Sequence, residues 1–70
     1  MQTAETRLLR RHEVEHLTGI GRSSLYAMAR SGRFPQPVKI SERCSAWNEV
    51  EVRAWIAARI EAAKTARAAA

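Results

Sequence analysis

Two short amphipathic stretches meet at a glycine turn, an alternating apolar and basic run faces a second extended run, and a well-capped helix closes the chain. Together they predict a mainly α fold with a small β-hairpin, arranged as a winged helix-turn-helix. The turn is its centre. Val14 and Leu17 mark the inner face of a first helix over Arg11 to Thr18, and Ile20 is an apolar plug between Gly19 and Gly21. Leu25, Met28 and Ala29 recur at i, i+3 and i+4, which gives a second helix, from about Arg22 to Ser31, one apolar face.

Residues 1–6 show no periodicity and are expected to be disordered. Leu8 and Leu9 form a short extended piece. The first helix lacks a good N-cap residue, whereas Gly19 is a sound stop, because glycine enters the left-handed conformation without steric cost. Gly32 stops the second helix and Pro35 rules out its continuation, leaving Phe34 as a core plug.

Val38-Lys39-Ile40 and Ser45-Ala46-Trp47 then pair as a hairpin through Ser41-Glu42-Arg43-Cys44, with Arg43 at the tip. On this geometry Val38, Ile40 and Trp47 point inward, while Lys39 and Arg43 point out. A charged hairpin beside such a helix, here residues 38–47, is a wing.

For the last helix Asn48 is the N-cap, Glu51 completes a capping box, and Trp47 with Val52 forms a hydrophobic staple. Val52, Trp55, Ile56, Ile60 and Ala63 make one apolar stripe. Residues 61–70 are Ala-rich and bury little area, so that end is expected to fray and the folded domain to span residues 7–60.

The 70 residues make one domain, too small for a deep enzyme cleft. The formal charge is +5, and ten of the twelve basic residues are Arg, whose planar fork pairs with phosphate and with guanine edges. Charge alone suits solubility equally well. Cys44 is the single cysteine, which excludes an internal disulfide and fits a reducing cytoplasm. Neither a signal peptide nor a membrane span is apparent. The expectations are therefore a cytoplasmic protein with no enzymatic activity, no cofactor, no metal, no membrane association and no small-molecule substrate.

Arg22, Ser23 and Ser24 open the second helix, where side chains and backbone N–H groups meet bases and phosphates. The alternative is that Ser23 or Ser24 simply helps the helix start, and for Ser24 the two readings are equal. Arg30 suits a guanine edge or a phosphate, or is a solvated cation at the helix end. Tyr26 is expected to be half-buried with its hydroxyl toward a phosphate. Arg33 and Lys39 suit phosphate clamping, and Arg43 a narrow minor groove, with solvated charge the alternative for all three. Trp47 and Trp55 fit the core.

His12-Glu13-Val14-Glu15-His16 matches the zinc-protease pattern H-E-x-x-H. No third His exists, the pair points away from Val14 and Leu17, and no second lobe is left to build a substrate groove. The pair is expected to face solvent or phosphate.

The blocks Thr18-Gly19-Ile20, Arg22-Ser23-Ser24-Leu25-Tyr26 and Gly32-Arg33-Phe34-Pro35 resemble the AlpA family of phage- and prophage-associated regulators. Glu13-Val14, Pro37-Val38-Lys39, Arg43, Ala46-Trp47, Glu51-Val52 and Trp55-Ile56 extend the resemblance from Arg7 to Ile60. It implies an excisionase-like, MerR-type winged helix-turn-helix that binds double-stranded DNA as a transcriptional regulator or a recombination directionality factor. Self-association on DNA, a recombinase and RNA polymerase are the protein partners to expect. Gly21 stands where the family commonly has Ser, which implies a weaker helix cap. The alternative is a protein-interaction module that docks through its C-terminal helix.

Overall fold

A computed structural model describes residues 7–69, so the expectation for residues 1–6 lies outside the described residues. Leu8–Leu9 form β1, Arg11–Thr18 α1, Arg22–Arg30 α2, Val38–Ser41 β2, Cys44–Asn48 β3 and Glu49–Ala69 α3. The winged helix-turn-helix expected from the sequence is present, with α2 ending at Arg30 and the wing reaching Asn48. Leu9, Val14, Leu25, Phe34, Trp47 and Val52 form the core, and Ile20, Tyr26, Met28, Trp55 and Ile56 pack against it.

The first helix is better capped than its sequence promised. Arg10 is the N-cap, and its backbone N–H donates to Glu13 Oε1 at 2.8 Å, while the Glu13 N–H donates back to the Arg10 carbonyl at 3.0 Å. The Glu13 carboxylate thus supplies half of a capping arrangement that normally starts from Ser or Thr. That hydrogen bond, with the positive charges of Arg7, His12 and Arg10, holds the Glu13 carboxyl below its ordinary value of 4.5. A lowered carboxyl pKa stabilises the fold above that value, and the contribution is lost as pH falls through the folded-state value. Thermal melts of the parent and of Glu13→Gln should therefore converge on acidification below 4.5 and separate above it.

At the other end of α1, Gly19 takes φ 76° and its N–H donates to the Glu15 carbonyl at 2.8 Å. Thr18 Oγ1 donates to the Val14 carbonyl at 2.8 Å and accepts from the Ile20 N–H at 3.2 Å, which fixes the turn into α2. Helix α2 closes with Gly32 at φ 82°, the Gly32 N–H on the Ala29 carbonyl and the Arg33 N–H on the Met28 carbonyl. This paired reversal satisfies the last carbonyls of α2.

Both indoles then secure the link to the wing. Trp55 Nε1 donates to the Arg33 carbonyl and Trp47 Nε1 to the Pro35 carbonyl, each at 2.8 Å. Phe34 lies edge-on to both rings, 6.3 Å from Trp47 and 4.8 Å from Trp55. The link therefore fixes where the wing stands relative to α2.

Four expectations need correction. The sheet has three strands in the order β1-β3-β2, all antiparallel, because Leu8 and Leu9 pair with Asn48 and Trp47 and so cover the outer edge of β3. Val38 and Ile40 are 45% and 51% exposed instead of inward. Val38 pairs with Ala46, Lys39 with Ser45 and Ser41 with Cys44, which leaves an extra residue at Ile40, and all four residues of this edge strand are exposed, Val38 ahead of the irregularity included. Leu17 is 38% exposed, since Val14 alone fills the α1 contribution to the core.

The fourth concerns α3. Its stripe is covered only through Ile56; Ile60 and Ala63 lie beyond the last element that reaches the helix and are exposed. Asn48 does cap α3, its Oδ1 accepting from the Val50 N–H at 2.9 Å. Among the described residues Glu51 makes no return bond, because the first turn is tied down instead by the Glu49 N–H on the Arg7 carbonyl at 2.8 Å.

Candidate nucleic-acid interface

Helix α2 buries Leu25 and Ala29 and leaves Arg22, Ser23, Ser24 and Arg30 exposed. Gly21 is its N-cap and offers no side-chain bond, so the first-turn donors of α2 have no side chain from the cap on them. Neither the Ser23 nor the Ser24 hydroxyl hydrogen-bonds to the protein among the described residues, so neither side chain caps the start of the helix. Both hydroxyls are turned to solvent.

Tyr26 sits between surface and core, its ring 5.8 Å from that of Trp47. Arg43 and Glu42 form the turn of the wing, and Lys39 is exposed directly across from Ser45. Arg33 is exposed just past α2, its backbone held at both the N–H and the carbonyl.

Ion pairing divides the cations into two groups. Arg7 bridges Glu13 and Glu49 at 3.2 and 3.7 Å, Arg11 pairs with Glu15 at 2.5 Å, Arg53 with Glu49 at 2.9 Å, and Lys64 with Glu61 at 3.7 Å. Among the described residues Arg22, Arg30, Arg33, Lys39 and Arg43 have no carboxylate partner. The paired cations reach carboxylates of α1 and α3, and Arg10, Arg59 and Arg67 are likewise without a carboxylate among the described residues; the unpaired candidates cluster on α2, the link after it and the wing.

Sequence reasoning missed one part of this surface. A cleft of about 230 Å³ is lined by Arg10, Arg11, His12, Tyr26, Arg43 and Ser45, which brings the start of α1 against the wing turn and the middle of α2. Nothing in the spacing of Arg10 and Arg11 signals this, because the approach is set by the pairing of β1 with β3.

The H-E-x-x-H pattern resolves into ordinary helix chemistry. His12 and His16 are exposed, while the Glu13 carboxylate is taken by the Arg10 N–H and by Arg7 Nη2 at 3.2 Å. Among the described residues no group of three or more His, Cys, Asp or Glu is placed to hold a metal ion.

Residues 7–60 match the family model described as prophage CP4-57 regulatory protein (AlpA). The chain belongs to the AlpA family. It is also 43% identical, over 60 residues, to a protein of Enterobacteria phage P4 described as uncharacterized protein ORF88, an alignment covering 86% of this chain and 68% of that relative. No solved structure matches the chain. The AlpA match spans β1 through the core-packed half of α3, so it covers both helices of the turn and the whole wing. This is a regulatory family of phage origin, and no described helix of this AlpA-family chain is long and apolar enough to cross a membrane.

Proposed function

We propose that this chain binds double-stranded DNA sequence-specifically and acts as a transcriptional regulator or an excisionase-type recombination directionality factor. Helix α2 enters the major groove with Arg22, Ser23, Ser24 and Arg30. The wing and the link follow the flanking backbone through Lys39, Arg33 and Arg43, with Tyr26 reaching a phosphate. What supports this reading is the exposure, on α2, the link and the wing, of Arg22, Arg30, Arg33, Lys39 and Arg43, none with a carboxylate partner among the described residues, beside the exposed Ser23 and Ser24 of α2. A polyanion supplies the missing charge, and Arg at a helix start meets guanine edges.

Selection from a random duplex library at about 150 mM salt, where non-specific contacts are already weakened, should enrich one sequence. Its position beside a promoter assigns regulation; its position beside an attachment site assigns excision. Retention without enrichment would reduce the function to sequence-blind DNA binding.

One observation favours a second activity, docking on a protein partner such as a recombinase, RNA polymerase or another copy on DNA. The 21 residues of α3 span about 31 Å at 1.5 Å per residue, and from Ala57 through Ala68 every one is exposed. Deleting residues 61–70 should leave the thermal midpoint within a few degrees of the parent, because residues 61–68 are all exposed and none belongs to the core. DNA affinity should be retained. Loss of DNA binding on this deletion, with the fold intact, would place the DNA-binding surface on α3 instead of α2.

A further inference from the structure

We infer that the cleft between the start of α1 and the wing turn is a seat for a single DNA-backbone phosphodiester, gripped from one lip by Arg10 and Arg11 and from the other by Arg43. This rests on the DNA-binding reading above and adds to it a contact that neither the helix-turn-helix spacing nor the wing assigns. The lining residues are Arg10, the N-cap of α1, Arg11 and His12 from α1, Tyr26 from α2, and Arg43 and Ser45 from the wing. Three elements thus direct guanidinium, hydroxyl and imidazole groups at one small cavity, and its lining contains no carboxylate.

Cations brought together without an acid repel one another, and an anion relieves that repulsion. Arg10 and Arg43 lack carboxylate partners among the described residues, and Arg11 has Glu15 on one side of its fork only. Arg forks match two oxygens of a phosphate, and the Tyr26 and Ser45 hydroxyls add neutral donors of the kind that position a backbone without reading sequence.

The placement also fits the geometry of the reading face. Tyr26 lies one helical turn from Arg22, so a strand whose bases meet the start of α2 has its backbone near the Tyr26 hydroxyl. Ser45 is paired with Lys39, which puts Lys39 on the cleft side of the wing and extends the cationic track along the same backbone. Glu15 is then a competitor, since it holds one side of Arg11 at 2.5 Å.

The test titrates the full chain with the enriched duplex at several salt concentrations. Arg10→Ala/Arg11→Ala should lower affinity roughly tenfold or more for every duplex alike, reduce the log–log salt slope by up to about 0.9, the share of one phosphate, and leave the selected sequence unchanged. Arg43→Ala should do the same, and the triple variant should lose less than the product of the separate losses, because both lips hold one group. Glu15→Gln should tighten binding about twofold by freeing Arg11. Lys64→Ala/Arg67→Ala, which removes the same charge from the far end of α3, should change affinity much less.

An unchanged slope in the cleft variants, with the parent still selecting its sequence, would overturn the phosphate seat while sparing the DNA reading. Equal losses from the α3 control would overturn it too, leaving only net charge. Fully multiplicative losses from the two lips would exclude a shared phosphodiester. Absence of DNA binding by the parent would defeat both proposals together. Circular dichroism of each variant separates loss of fold from loss of contact, and Arg43, in an exposed turn, remains a clean probe if substitution of the Arg10 cap disturbs α1.

Discussion

Trp47→Ala should abolish cooperative unfolding, leaving a chain with little fixed tertiary structure even without denaturant. Trp47 is fully buried on β3, the strand shared by both pairings of the sheet, and it touches the rings of Tyr26 and Phe34. Truncating a buried Trp costs about 3–5 kcal/mol, which is as large as the whole net stability, roughly 3–5 kcal/mol, that one core supplies at this size. The indole N–H adds a second loss, because its removal leaves the Pro35 carbonyl without that donor and frees the link that sets the wing. Val38→Ala, on an exposed position of the neighbouring strand, should change stability by no more than about 0.5 kcal/mol. Urea titration followed by circular dichroism separates the two. A Trp47→Ala chain that kept a sharp transition near the parental midpoint would show that the core does not depend on this ring.

The same contrast explains which parts of the fold were legible in the sequence. Gly19 and Gly32 announced the helix ends because only a residue free of Cβ crowding takes a φ near +80° cheaply, and both do so here. Trp47, Val52, Leu25, Val14 and Phe34 announced the core because each is large and sits at the right period. Val38 and Ile40 misled because alternation assumes that one face of the strand is covered, and β2, at the edge of the sheet, has all four of its residues exposed. Leu17 and Ile60 misled for a different reason. A stripe shows which residues of a helix share a face, and it does not show where the neighbouring element stops.

Long-range pairing was the other blind spot. Two leucines are too short a run to declare a strand partner, and only the match of Leu8 with Asn48 and Leu9 with Trp47 brings Arg10 and Arg11 round to the wing. The cap on α1 escaped notice because Arg is not a capping side chain, whereas Glu13 three residues later was the usable half of the signal. For the candidate site, helix position was enough to put Arg22, Ser23, Ser24 and Arg30 on the exposed face of α2. The ion pairs Arg11–Glu15, Arg53–Glu49 and Lys64–Glu61 sit at helical i,i+3 or i,i+4 spacing, whereas the pairing of Arg7 with Glu13 and Glu49 depends on tertiary contacts and was not legible.

Arg22→Ala and Lys39→Ala should weaken DNA binding in different ways, and the difference tests the reading face directly. Arg22 opens α2, exposed and without a carboxylate partner, where an Arg fork meets a guanine edge in the major groove. Losing such a bidentate contact costs about 1–3 kcal/mol of discrimination, so the selected duplex should lose roughly 5- to 150-fold while an unrelated duplex loses far less. Lys39 stands on the wing across from Ser45, where its ammonium meets phosphate as a point charge. Its removal should lower affinity for both duplexes by the same factor and reduce the log–log salt slope by about 0.9. Both substitutions are on exposed side chains, so neither should shift the thermal midpoint by more than a few degrees. Equal, sequence-blind losses from the two would contradict the division of labour between α2 and the wing. A loss of preference from Lys39→Ala with none from Arg22→Ala would reverse it, making the wing the element that reads bases.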